Sequence, residues 1–229
     1  MKKLTLIFSL LLLLCFQGNS FGQSKFPMKL GLKVSPNIGW MSPGTKGYSS
    51  DGARLGATVG FISDFYFSEN YAISTGINFQ FINGKVNYMD SLDAANNNTK
   101  IFRKYNFLYL EIPLMIKMKT KTFGKMAYYG QIGFGTAFRL KAKVNDHYDL
   151  TTGTVDGTPI DYNEGVTLIR ESVLIGVGLE YHVDESSRIM IGLSYSNALN
   201  NILTGTNAKT GLVEKSQLNF AELNIGFLF

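Results

Sequence analysis

Apolar and polar residues alternate with a period of two along most of this chain, the spacing that sends successive side chains to opposite faces of a β-strand. The clearest stretch is Tyr105 to Lys119, YNFLYLEIPLMIKMK. There every even position from Leu108 to Met118 is apolar, while Glu111, Pro113 and Lys117 stand on the odd face. The same alternation predicts strands over residues 28–40, 53–67, 71–86, 126–143, 168–183 and 188–198. It predicts an eighth at the C-terminal end, where Leu223, Ile225, Phe227 and Phe229 alternate with Glu222, Asn224 and Gly226. Brief turns near residues 69, 122 and 185 separate these strands in alternation with long polar segments at 41–52, 87–102, 144–167 and 200–215.

Short turns at one end and long loops at the other are the asymmetry of an outer-membrane barrel. The face that carries glycine decides against a soluble barrel. Gly31, Gly60, Gly76, Gly133, Gly176, Gly192 and Gly226 share the polar face with Lys33, Arg139, Arg170, Glu180 and Glu222. Small and charged side chains belong inside a narrow eight-stranded lumen, where large residues on one strand need small ones opposite, and the branched and aromatic face is left to lipid. A lipocalin-type barrel would invert the two faces. The fold class predicted is therefore all-β: an eight-stranded antiparallel up-and-down transmembrane β-barrel, integral to the outer membrane with its long loops extracellular.

Within that lumen the strand at 105–119 stands out, because it contributes Tyr109, Glu111, Pro113, Met115 and Lys117 where its neighbours contribute glycine. Pro113 cannot donate to a ladder, so a bulge or a locally missing hydrogen bond is expected there, and Pro36 marks a similar irregularity in the first strand. The inward Lys33, Glu111, Arg139, Arg170, Glu180 and Glu222 are nearly balanced in sign. Pairing into a polar network that closes the lumen is expected over a single-sign pore lining, with Arg139 the first partner for Glu111. Tyr66, Tyr71, Tyr109, Tyr128, Tyr181 and Phe229 read as an aromatic belt at the membrane interfaces.

The first residues change the picture in one respect. Lys2 and Lys3, the apolar run Leu4 to Phe16 and the small-residue site Ser20-Phe21-Gly22 read as a signal peptide over 1–22, leaving 23–229 as one barrel domain. Cys15, the single cysteine, falls inside it, so disulfide and thiol chemistry are not expected of the mature chain. The formal charge of +5 becomes +3 once Lys2 and Lys3 are removed (20 basic minus 17 acidic), too mild and scattered for nucleic acid.

Candidate chemistry is sparse. The histidines are His147, flanked by Asp146 and Asp149 in a predicted external loop, and His182, near a predicted periplasmic turn. No nucleophile elbow or zinc-binding helix accompanies them. Asp146, Asp149, Asp156, Asp161 and Glu164 could offer oxygens to calcium but lack the spacing of a calcium loop. The expectation is a non-enzymatic protein without cofactor or metal, with a solute pore and a surface lipid-modifying enzyme as the alternatives.

The run LYLEIPLMIKMK (Leu108 to Lys119) followed by YYGQIGFG (Tyr128 to Gly135), with the opening KLGLKVSPNIGW and the closing LNIGFLF, resembles the PorT-like outer-membrane barrel family of Bacteroidetes. The resemblance covers essentially the whole mature chain. It implies outer-membrane lipid as the surroundings, and a structural or accessory role beside secretion or gliding complex proteins of the type IX apparatus.

Overall fold

The structure, a computed structural model, describes residues 28–90, 99–150, 153–184, 186–207 and 210–229. The proposed signal peptide lies outside the described residues. The strands are β1 (Met28–Pro43), β2 (Ser49–Ser68), β3 (Tyr71–Asp90), β4 (Thr99–Lys119), β5 (Met126–Leu150), the short β6 (Gly153–Asp156) and β7 (Ile160–Asp161), then β8 (Ile169–His182), β9 (Arg188–Ala198) and β10 (Ser216–Leu228). Each of the eight long strands pairs antiparallel with its neighbours in the order β4-β3-β2-β1-β10-β9-β8-β5, and β5 returns to β4. The ring is closed. Its seam, β1 on β10, is stitched to the terminus by Phe229 N donating to Leu30 O at 2.7 Å.

Closure leaves no strand edge, which is what a backbone in hydrocarbon requires. The outward face carries the apolar half of the alternation: Leu32, Val34, Phe61, Ile77, Leu114, Phe134, Val177 and Leu193 are all exposed to the surroundings. The buried face carries Ser35, Asn37, Asp64, Asn78, Glu111, Lys117, Arg170 and Glu180. Polar side chains inside and apolar ones outside is the arrangement the glycine-bearing face predicts.

Three of the segments expected to be loops are largely strand. β3 continues to Asp90, which faces Thr99 on β4, and β5 runs on to Leu150, where β6 and β7 fold back against it. Alternation persists in these extensions, but its sense is reversed. Outward positions become Asn83, Lys85, Asn106 and Lys104, while inward ones become Ile82, Val86, Tyr88, Ile101 and Tyr105. Above the bilayer the outer wall meets water and the interior becomes the greasy side, so a reading tuned to an apolar exterior stops β3 at Val86, begins β4 at Tyr105, takes Tyr88 and Ile101 for loop and leaves Lys104 out of any strand. The stretch 91–98 of the expected 87–102 loop lies outside the described residues.

The register change that accomplishes the reversal on β5 is a bulge. Lys141 faces Leu108 and Arg139 faces Tyr109, leaving Leu140 as the extra residue. Beyond it the even positions Ala142, Val144 and Asp146 turn inward and Lys141 turns out, whereas an alternation carried on unbroken from Arg139 would put Lys141 in the lumen. At Pro113, where a bulge or a locally missing hydrogen bond was expected, the strand has no bulge and the pairing is locally missing. β3 and β4 keep one register past that residue, with the ladder pairs Gly76–Pro113 and Ile77–Ile112 missing, and Thr75 Oγ1 donates to the Pro113 carbonyl at 2.7 Å. Proline there removes pairing without adding a residue. Pro36 does the same between β1 and β10, where pairing skips from Val34–Ile225 to Asn37–Glu222 in unchanged register.

Candidate functional site in the barrel lumen

Three layers fill the interior from the short-turn end upward. The first is an ion cluster. Lys117 on β4, fully buried, donates to Asp64 Oδ2 on β2 at 2.7 Å and lies 2.6 Å from Glu180 Oε1 on β8. Glu180 Oε2 also receives Lys119 at 2.7 Å and Arg188 at 3.0 Å. Tyr129 on β5 covers the cluster, its ring 4.7 Å from the Lys117 ammonium. Tyr129 fits only because its ladder partner on β8 is Gly178 and the next on β9 is Gly192. A Cβ on Gly178 would stand 2.6 Å from the ring, and one on Gly192 would collide with the hydroxyl.

The second layer holds two polar groups. Lys33 on β1 meets Glu222 on β10 at 2.9 Å and Asn224 at 3.1 Å, with Ser194 donating to Glu222 at 3.1 Å. Glu111 accepts Asn78 Nδ2 at 3.0 Å and Gln80 Nε2 at 2.7 Å from β3, and its other oxygen lies 3.9 Å from Arg170 Nη1. Arg170 in turn donates to the Leu218 carbonyl at 3.1 Å and to Ser196 Oγ at 2.6 Å, with Phe220 5.1 Å beneath its guanidinium.

Arg139 is therefore not the partner of Glu111. It faces Tyr109, one inward position higher, and its Nε has no hydrogen-bond partner among the described residues. The register explains the exchange: Glu111 faces Ala137 on β5, and Ala137 faces Arg170 on β8. Ala137 is too small to separate them. Of the six charged residues expected in the lumen, Lys33, Glu111, Arg170, Glu180 and Glu222 are held in such contacts. The cavity between the two lower layers measures about 30 Å³ and is lined by Lys33, Asn78, Lys117 and Asn224 among others. That is room for about two or three waters.

The third layer is apolar and was not read from the sequence. Met41, Ile82, Val86, Ile101, Tyr105, Phe107 and Tyr109 pack with Leu218 and Phe220 into one buried cluster at the long-loop end. The segment expected as a loop at 200–215 descends onto it. Ile202 and Leu203 are buried there, tied by Thr167 N donating to Ile202 O at 2.8 Å and Thr204 N to Gly165 O at 3.0 Å. Among the described residues one ion pair crosses this layer, Arg103 to Asp146, in a two-toothed contact at 2.6 and 2.7 Å, with the Tyr88 and Tyr162 rings at 5.5 and 5.1 Å from the guanidinium. The signal for it, an Asp beyond an unnoticed bulge, was hidden in an apparent loop.

Two of the aromatics assigned to an interfacial belt belong inside. Tyr109 is fully buried, and the Tyr66 hydroxyl accepts Lys119 Nζ at 3.0 Å. Tyr71, Tyr128, Tyr181 and Phe229 are outward and exposed, and Trp40 stacks on Tyr195 at 6.0 Å.

His147 Nδ1 lies 2.7 Å from Asp156 Oδ1 on the outer wall, and that contact draws the exposed Asp156 carboxyl below its ordinary pKa. His182 lies against the Lys125 carbonyl at 3.2 Å, at the opposite end. The acidic residues of 144–167 disperse: Asp146 is engaged by Arg103, Asp156 by His147, and Asp149, Asp161 and Glu164 are exposed. Among the described residues no group of three or more His, Cys, Asp or Glu gathers.

Residues 21–228 match the family described as "Outer membrane protein beta-barrel domain". Among solved structures, neisserial surface protein A aligns at 11% identity over 88% of this chain and 95% of its own, with a TM-score of 0.48. The outer membrane protein OprG from Pseudomonas aeruginosa aligns at 10% identity over 89% and 97%, with a TM-score of 0.45. The outer membrane protease OmpT from Escherichia coli aligns at 9% identity over 92% and 99%, with a TM-score of 0.38. No curated protein matches the sequence.

Proposed function

Because this chain belongs to the outer membrane protein beta-barrel domain family, we propose that it acts as a closed, non-enzymatic barrel that anchors or supports a complex in the outer membrane, and does not conduct solutes. The single observation behind this reading is the filled lumen. A paired ion cluster, a polar layer and an apolar cap stand in series along the axis, with about 30 Å³ of void between the lower two. Buried charges in such a space cost several kcal/mol each unless paired, and pairing here closes the path. Single-sign rings, which select ions in pores, are not formed: Lys117 lies between two carboxylates and Lys33 against a third.

A role as accessory to a secretion or gliding complex rests on the LEIPL run at 110–114 and its neighbours, and on the strand extensions that lift a rigid wall above the membrane for a partner to grip. Planar-bilayer recording tests the closed barrel: purified wild-type protein should show no discrete conductance, and steady channels from it would overturn the reading. Mild detergent extraction with co-purification tests the partner. An isolated monomer, together with normal protein export on deletion, removes the secretion role.

A further inference from the structure

Charge does not balance in the two lower layers of the lumen. Among the described residues Lys33, Lys117, Lys119, Arg170 and Arg188 stand there against Asp64, Glu111, Glu180 and Glu222, five cations for four carboxylates. The next charges on either side do not correct the difference. Arg139, one inward position above Glu111, adds to it. At the short-turn rim Lys29 donates to the Ser186 carbonyl at 2.8 Å, in the turn that carries Asp184, so those two charges cancel. Glu214 is buried at the long-loop end, beyond the apolar layer, against the hydroxyls of Tyr48 and Tyr162.

The space between the two layers is where this surplus meets a cavity. Lys33, Lys117, Ser74 and Gln131 line the void of about 30 Å³, with Met115 and Met190 among its apolar walls, and no carboxylate of the described residues reaches it. Each ammonium carries three hydrogens. Lys33 commits two of them, to Glu222 and Asn224, and Lys117 commits two, to Asp64 and Glu180. One hydrogen on each is left for the cavity. Ser74 and Gln131 add a hydroxyl and an amide, groups that can turn a hydrogen toward an anion.

We propose that this cavity is a binding site for one small monovalent anion of chloride size, held between the Lys33 and Lys117 ammonium groups. Size and charge both select it. Space for about two or three waters takes a halide and a water, whereas phosphate or sulfate brings a whole shell of oxygens. A surplus of one positive charge is met by one negative charge, and an uncompensated charge in so narrow an interior is costly. A metal cation in the same place would meet two ammonium groups and no carboxylate. Because Lys33 stands on β1 and Lys117 on β4, strands that do not pair with each other, the anion ties two separate parts of the wall together.

Urea titration of the reconstituted full chain tests this, in sodium chloride and in sodium gluconate of equal ionic strength. An ion that binds only the folded barrel lowers the unfolded-to-folded ratio about tenfold for each tenfold rise in its concentration above the dissociation constant. Chloride should do this and gluconate should not. Chloride magnetic resonance reads binding directly: the protein in neutral detergent should broaden the chloride line, and added bromide should compete the broadening away. Met115→Glu sets a tethered carboxylate on the cavity wall and should abolish both effects while heat-modifiable migration shows a folded barrel, and Met190→Glu repeats the test from β9. Lys46→Gln/Lys121→Gln removes two exposed lysines and should leave both effects unchanged. Should neither glutamate variant fold, the wild-type comparison decides alone. Equal midpoints in chloride and gluconate, the outcome if water alone fills the cavity or one lysine has shed its proton, would overturn the proposal. Broadening that persists in both glutamate variants, or that vanishes with the exposed lysines, would overturn it as well.

Discussion

Glu180 is the residue on which the lower lumen turns, because three cations converge on its two oxygens: Lys117, Lys119 and Arg188. Removing one partner of a buried ion network leaves the others uncompensated, a loss of about 3–5 kcal/mol. Glu180→Gln should therefore shift the temperature at which the folded band disappears on a heat-modifiable gel well below that of wild type, and adding Lys117→Met should recover part of it. Two further side chains show how space is apportioned at this scale. Tyr129 occupies the room that Gly178 and Gly192 leave, so Gly192→Val should destabilise by an amount typical of overpacking, about 1–3 kcal/mol, and Tyr129→Ala in the same chain should relieve it. Failure of that rescue in urea titrations of the reconstituted protein would show that the glycine serves the backbone instead.

Turns and strands obey different constraints, and the turn between β8 and β9 carries a titratable one. Asp184 Oδ1 accepts Ser187 N at 2.7 Å and Ser186 N at 2.9 Å, and these bonds lower its pKa to about 2. A carboxyl depressed in the folded state contributes stability that is present above its ordinary value near 3.8 and is lost as pH falls through about 2. Amide exchange at Ser186 and Ser187 should accordingly accelerate below about pH 4 relative to neighbouring β-ladder amides, and Asp184→Asn should flatten that response. Such turns were legible in sequence because Asp and Ser bond their own backbone. The eight long strands were legible for a similar reason: alternation against lipid is strict, so β9 begins and ends where residues 188–198 predicted. What escaped was the part of β3, β4 and β5 beyond the bilayer. Water on the outside reverses the alternation there, and the extra residue Leu140 shifts the parity of everything above it on β5. The pairing of Glu111 was missed for a related cause. Choosing between Arg139 and Arg170 depends on which inward positions share a level across three strands, and no single strand carries that information.

On the scale of the whole molecule, the closed barrel we propose treats the layers of the interior as seals in series, and the current through seals in series is limited by the tightest. On that proposal the apolar cap formed by Ile202 and Leu203 over Phe107, Tyr109 and Phe220 would exclude ions because a charge there would lose its hydration, while the lower cluster would exclude them by occupying the lumen with paired groups. Opening either one leaves the other intact. Ile202→Asp/Leu203→Asp places unpaired charge in the cap and should expose 200–215 to added protease without producing conductance. Lys117→Ala/Glu180→Ala should widen the lower lumen, again without steady current. Only the four-fold variant, with both seals broken, should show discrete channels in planar bilayers while still migrating as a folded barrel. Conductance from the cap variant alone would mean that the ion cluster leaks, and that the closed barrel depends on its outer segment rather than on its filled interior.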